Sequence, residues 1–266
     1  MKTVGVFDSG VGGLSVLRAL LAELPGVRFV YVADSAYAPY GERTVAEITE
    51  RSERITAWLR HTHHIDALVV ACNTATALAI DSLRATHPDL PIVGVEPALK
   101  PAAAMSLTRH IGVLATRGTL NSGRFARLRS QLESAASSPV HFICQPCDGL
   151  ADAIERDDLR TRQSLCERYV AALREHAPGD MDTVVLGCTH YPFAADVLTR
   201  LLGPDVTLVD TGIAVARRTR DVLGLSIGVA AHATPPVLLS TGDPAKLSQA
   251  ASRWLGLQTR AEQLLA

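Results

Sequence analysis

The sequence predicts an α/β protein of two pseudo-symmetric, doubly wound domains, each built on a mostly parallel sheet. Three observations carry that prediction. Short apolar runs rich in Val and Leu alternate with helix-like stretches from end to end of the 266 residues. The runs are apolar throughout rather than alternating, the pattern of strands covered by helices on both faces. One segment is also nearly duplicated: Asp66-Ala67-Leu68-Val69-Val70-Ala71-Cys72-Asn73-Thr74 and Asp182-Thr183-Val184-Val185-Leu186-Gly187-Cys188-Thr189-His190.

Taken in order, strands are expected at Thr3–Asp8, Arg28–Asp34, Ala67–Cys72, Pro91–Glu96, Ile111–Thr116, Val140–Cys144, Thr183–Cys188, Val206–Asp210 and Val237–Thr241. Leu14–Leu24, Val45–His61 and Gln163–His176 read as helices, with Leu17, Leu20 and Leu24 as core at helical spacing. Thr44 with Glu47 three residues later forms a capping box for the second of them. Ser134–Pro139 reads as a loop. Gly5-Val6-Phe7-Asp8-Ser9-Gly10 opens one half and Gly112-Val113-Leu114-Ala115-Thr116-Arg117-Gly118 the other. The boundary falls near Glu96-Pro97 and the return near Asp210-Thr211-Gly212. One domain is therefore expected from residues 1–96 with 211–266, the other from 97–210.

Composition narrows the function. A 47% hydrophobic and 20% charged chain is ordinary for a globular protein. Its net charge of −1, without a long Lys or Arg run, argues against a dedicated nucleic-acid or anionic-membrane surface. No apolar stretch approaches the roughly 18 residues of a membrane helix. Met1-Lys2-Thr3 runs straight into Val4-Gly5-Val6-Phe7 without a secretory leader, and five cysteines do not suggest a disulfide framework. The expectation is a cytoplasmic protein with free thiols.

Those thiols are the first candidates for chemistry. Residues just after a parallel strand lie at its carboxyl end, where open α/β sheets bind ligands. A free cysteine has a pKa of about 8.5, and the N–H groups at a following helix start favour its anion. Cys72 and Cys188 both have that setting, with Pro192 suited to a first helical turn. Two thiols meeting across one ligand would form a proton-transfer pair of opposite hand. The plain alternative is two small buried residues at strand ends. Asp8, ending the first strand, and His190, two residues past Cys188, are candidate partners for thiol protons. Asp8 can also be read as a turn residue, and His190 as a helix cap.

Other motifs compete. Gly10-Val11-Gly12-Gly13 after a strand, with Asp34 ending the next, imitates a dinucleotide fingerprint. The third glycine would fall on Ser15, however, and a turn offering N–H groups to a small carboxylate explains the glycines as well. Cys144-Gln145-Pro146-Cys147 has redox or zinc spacing but no second pair. His61-Thr62-His63-His64 reads as a solvated helix end.

Phe7-Asp8-Ser9-Gly10-Val11-Gly12-Gly13, Pro39-Tyr40-Gly41, Cys72-Asn73-Thr74 and Gly187-Cys188-Thr189-His190-Tyr191-Pro192 together resemble the signatures of the glutamate racemase family. The resemblance runs to about Thr211. It implies a cofactor-independent, metal-free enzyme that interconverts L- and D-glutamate for bacterial peptidoglycan. It also implies an active site between two α/β domains, and commonly a homodimer. By position, Cys72 and Cys188 would be the acid/base thiols, assisted by Asp8 and His190. Asp8, Ser9, Tyr40, Gly41, Asn73, Thr74, Thr189 and His190 would hold the amino acid. Thr116 and Thr119 resemble hydroxyls that bind its carboxylate, and Glu155 resembles an acid placed near His190. The chain departs from the pattern at Asp148 and Asp152, where prolines are more familiar. Three rivals stand beside this reading: a relative acting on aspartate or hydantoins, a nucleotide-dependent oxidoreductase, and a non-catalytic amino-acid-binding module.

Overall fold

The computed structural model describes residues 1–135, 139–177, 179–226 and 234–265. Among them the chain alternates strand and helix throughout and divides into two compact units, Met1–Val95 with Gly212–Ala266, and Glu96–Thr211.

The first unit opens with β1 (Thr3–Asp8), every residue of which is buried. α1 (Leu14–Glu23) and β2 (Arg28–Ala33) follow. Next comes α2 (Val45–His63), started by a capping box in which Thr44 and Glu47 satisfy each other's backbone N–H. His64 in the left-handed region ends it. β3 (Ala67–Val70), α3 (Asn73–Thr86) and β4 (Ile92–Gly94) complete this stretch.

The second unit runs α4 (Leu99–Met105), β5 (His110–Ala115), α5 (Arg117–Leu120), α6 (Gly123–Ala135), β6 (His141–Pro146), α7 (Leu150–Glu155), α8 (Leu159–Glu175), β7 (Thr183–Gly187), α9 (Ala195–Leu202) and β8 (Thr207–Val209). The chain then returns to the first unit with α10 (Gly212–Val222), β9 (Val237–Ser240), α11 (Pro244–Leu255) and β10 (Glu262–Gln263).

All strand pairings among the described residues are parallel. The first sheet has the order β10-β9-β2-β1-β3-β4 and the second β6-β5-β7-β8. The second thus repeats the β2-β1-β3-β4 core of the first. β3 and β7, the strands that lead to the two cysteines, occupy equivalent places. The acid six residues before each cysteine does an equivalent job. Asp66 accepts the Thr3 N–H at 2.8 Å and the Lys2 ammonium at 2.7 Å. Asp182 accepts the N–H groups of Leu107 and Thr108 and the Ser106 hydroxyl, at 2.6, 3.0 and 2.6 Å. Each acid fastens the chain where it enters the central strand alongside.

The core of each unit lies between sheet and helices. In the first, Phe7, Val30, Leu68 and Val70 pack against Ile48, Ile55, Leu59, Ile80 and Leu83. In the second, Ile111, Val113 and Val185 pack against Leu99, Phe125 and Phe142. No helix among the described residues is long and apolar enough to cross a membrane.

Several expected ends move. β3 stops at Val70, and Cys72 becomes the N-cap of α3 in extended backbone. β6 starts at His141 and continues through Pro146. α8 begins at Leu159, because the Asp158 carboxylate accepts the Thr161 N–H and starts the helix early. The expected loop at Ser134–Pro139 begins later, as α6 runs through Ala135, and residues 136–138 lie outside the described residues.

Candidate active site

Each unit gathers polar side chains at the carboxyl end of its central strands. In the first, the Ala71 N–H donates to the Phe7 carbonyl at 2.7 Å, which sets Cys72 beside the end of β1, where Asp8 and Ser9 follow. The Cys72 thiol donates to the Ser9 hydroxyl at 3.7 Å, and its sulfur accepts the Ala75 N–H at 3.5 Å. That second bond is the helix-start setting that favours a thiolate. Asp8 is fully buried, and its Oδ2 accepts the Gly13 N–H at 2.7 Å. Glycine is required at position 13, since a Cβ there would stand 2.6 Å from the Asp8 Cβ and 3.1 Å from the Ala71 Cβ.

Asn73 and Thr74 open α3 and are both buried. The Asn73 Nδ2 is a buried donor with no partner among the described residues, the condition of a group that awaits an acceptor. Tyr40 and Gly41 lie in a 3₁₀ turn, Tyr40–Glu42. The Tyr40 side chain is buried, and its hydroxyl donates to the Asp34 carboxylate at 2.6 Å. Burial, then the Asp34 charge, raise its pKa far above the ordinary phenol value. The hydroxyl therefore stays protonated and faces the protein. What the turn can offer a ligand is its main chain.

In the second unit Cys188 follows β7 directly, and its sulfur lies 3.7 Å from the His190 Nδ1. The other ring nitrogen, Nε2, lies 2.7 Å from the Glu155 carboxylate at the end of α7. Thiol, imidazole and carboxylate thus form a chain in which the histidine is buried. Burial alone would discharge the ring. Its hydrogen bonds to Cys188 and Glu155 outweigh that penalty and hold its pKa well above the ordinary value. Thr189 and His190 lead into a 3₁₀ turn, Tyr191–Ala194, with Pro192 in its first residues. Thr116 caps α5, with its Oγ1 3.3 Å from the Thr119 N–H and 2.9 Å from the Thr119 hydroxyl. Gly187 lets β7 approach β5, since a Cβ there would stand 2.8 Å from that of Ala115.

A family model described as Asp/Glu/Hydantoin racemase matches residues 4–219. The chain is 50% identical to a glutamate racemase of Pseudomonas paraeruginosa over 83% of its length and 81% of that protein's. It is 45% identical to one of Cupriavidus pinatubonensis over 97% of its length and 93% of that protein's. Its fold matches the crystal structure of Escherichia coli glutamate racemase in complex with L-glutamate and the activator UDP-MurNAc-ala. That match has a TM-score of 0.85 and 32% identity, covering 99% of this chain and 98% of the other.

The chain belongs to the Asp/Glu/Hydantoin racemase family. It is an isomerase of the racemase class.

Within this family frame the competing motifs find other uses. The glycine turn spends its Gly13 N–H on Asp8, and Asp34 is wholly buried and engaged, so neither is placed as a dinucleotide site requires. Cys144 is half-buried, with its pKa raised by burial, and packs beside Arg129 at 3.9 Å; Cys147 is buried, and burial raises it further. The described residues contain no His, Cys, Asp and Glu cluster able to hold a metal. His61, His63 and His64 close α2.

Sequence reasoning missed the support behind the Tyr40 turn. Arg51 Nε and Nη2 donate to the two Asp34 oxygens at 3.0 and 2.8 Å, and the Thr241 hydroxyl donates to Asp34 at 2.8 Å. The signal was present: Arg51 falls on the stripe of Ile48, Ile55 and Leu59, where an arginine is out of place unless a carboxylate meets it.

Proposed function

We propose that this racemase interconverts L- and D-glutamate by proton transfer at Cα, with Cys72 and Cys188 as the two acid/base groups, and so supplies D-glutamate for peptidoglycan. The observation that carries this reading is the equivalent placement of the two thiols. Each follows the same strand of a repeated β2-β1-β3-β4 order, and each has a polar partner within hydrogen-bond reach. The curated relatives named glutamate racemase, and the E. coli structure described with L-glutamate, support glutamate as the substrate.

In this reading the domain of residues 1–96 with 211–266 supplies Cys72 and its partners, and the domain of residues 97–210 supplies Cys188 and its partners. One cysteine, as thiolate, takes the α-proton, and the other, as thiol, delivers a proton to the opposite face. The reverse reaction exchanges the roles. No organic cofactor or metal takes part. Asp8 and Ser9 serve Cys72, while His190, charged and held by Glu155, serves Cys188. Asn73, Thr74, Thr116, Thr119, Thr189 and the Tyr40–Gly41 main chain hold the substrate. Donors around its carboxylate stabilise the carbanion-like transition state. The enzyme works in the cytoplasm and pairs as a homodimer.

The test is solvent exchange. In heavy water, the purified protein should wash deuterium into Cα of both unlabelled L- and D-glutamate, and into neither enantiomer of aspartate. Exchange of aspartate in preference to glutamate would reassign the substrate. Absence of exchange with any amino acid would leave a binding module.

A further inference from the structure

The Asp34 carboxylate gathers donors from three parts of the first unit. Arg51 on α2 grips both carboxylate oxygens, Tyr40 donates from its turn, and Thr241 donates from the end of β9. The Asp34 N–H donates to the Asp8 carbonyl at 2.9 Å. Arg51 and Asp34 are both buried, and the guanidinium also lies over the Tyr37 ring at 3.9 Å. A buried ion pair is a poor way to add stability, because apolar residues of the same size avoid its desolvation. Its geometric effect is specific. A bidentate arginine fixes a carboxylate in both position and rotation. The carboxylate in turn fixes the phenol that ends in the Tyr40–Gly41 turn.

We propose that Arg51 is a positioning residue for substrate binding, acting through Asp34 on the Tyr40–Gly41 turn. The proposal rests on the racemase reading of that turn. A displaced turn binds substrate and transition state less well by a similar margin, so KM carries the effect.

Three variants test it: Arg51→Lys, which keeps the charge and loses the fork; Tyr40→Phe; and the double variant. Each single change should raise KM for glutamate about tenfold, the size of one lost hydrogen bond in a buried site, with kcat within about twofold. The double variant should be no worse than the poorer single one, since both cut the same link. KM effects that multiply, or a fall in kcat at unchanged KM, would overturn the proposal. Should Arg51→Lys not fold, Tyr40→Phe with Asp34→Asn carries the same test, and an unchanged KM in either single variant overturns it. Wild-type protein that fails to exchange the glutamate α-proton sinks the function itself, and this inference with it. Active wild type with independent variants sinks only the inference.

Discussion

The His190 Nε2 lies 2.7 Å from the Glu155 Oε2, while the opposite nitrogen of the same ring faces the Cys188 sulfur at 3.7 Å. Glu155 reaches this place although the segment before it carries Asp148 and Asp152. Those two acids turn elsewhere: Asp148 pairs with Arg117 at 2.5 Å and Asp152 with Arg156 at 2.9 Å.

Glu155→Gln should therefore lower the His190 pKa, since it removes one of the two interactions that raise it against burial. The alkaline limb of the kcat/KM profile should move to lower pH, with activity on that limb reduced about tenfold. Stability should follow the same ring. The His190 contribution is fully present below its ordinary value near 6.5 and is lost as pH rises through its higher folded value. The wild type should accordingly out-melt the variant at pH 6 by a margin that narrows on raising the pH. A pH–rate profile and thermal melts at several pH values check both, and an unmoved limb would remove Glu155 from the mechanism.

Cys72→Ala and Cys188→Ala should each depress racemisation about a thousandfold, the scale of a lost proton-transfer group. Both should fold with losses of about 1–2 kcal/mol, measured by urea denaturation. Cys144→Ala should leave turnover unchanged, because that half-buried thiol packs against the core of the second unit, beside Arg129 and donating to the Phe142 carbonyl, and touches none of the residues assigned to substrate or proton transfer.

Gly13→Ala should cost about 1–3 kcal/mol by overpacking, and should cost activity as well. The new methyl must displace the Asp8 side chain or the Tyr31 hydroxyl, which would stand 2.6 and 2.9 Å away. Turnover that survives a measured loss of stability would separate Asp8 from the chemistry.

Asp182→Asn should weaken the second unit by about 2 kcal/mol through its three donors from the Ser106–Thr108 turn, one of them kept in part by the amide. Burial would raise this carboxyl, but the Ser106 hydroxyl and the Thr108 and Leu107 N–H groups hold it well below 3.8. A depressed carboxylate stabilises above its unfolded value, and the benefit fades as pH falls through the folded one. Denaturation at pH 7 and below pH 3 should show the wild-type advantage shrinking, with turnover per folded molecule unaffected.

Much of the fold was legible because a buried parallel strand must be apolar on both faces. β1, β3, β5 and β7 announce themselves as Val- and Leu-rich runs, and the repeated Asp-to-Cys spacing marks β3 and β7 as equivalents. β10 was not legible: two residues, Glu262 and Gln263, both exposed, carry no pattern and pair only because β9 offers an edge. Within the site, Asp8, Cys72, Cys188 and His190 were readable from their place after strands. The Glu155–His190 bond was suggested only by resemblance, since nothing local says where α7 aims its last residue. The grip of Arg51 on Asp34 depends on α2 crossing β2, a tertiary fact outside any single window.

The place of β9 beside β2 has a consequence for biosynthesis. A ribosome releases the chain from its amino-terminal side, so β1 to β4 emerge before the second unit, yet β9 and the Thr241 bond to Asp34 emerge only after it. The intervening unit, Glu96–Thr211, is contiguous and can close while synthesis continues. The first unit is thus completed only after the whole of the second has been made.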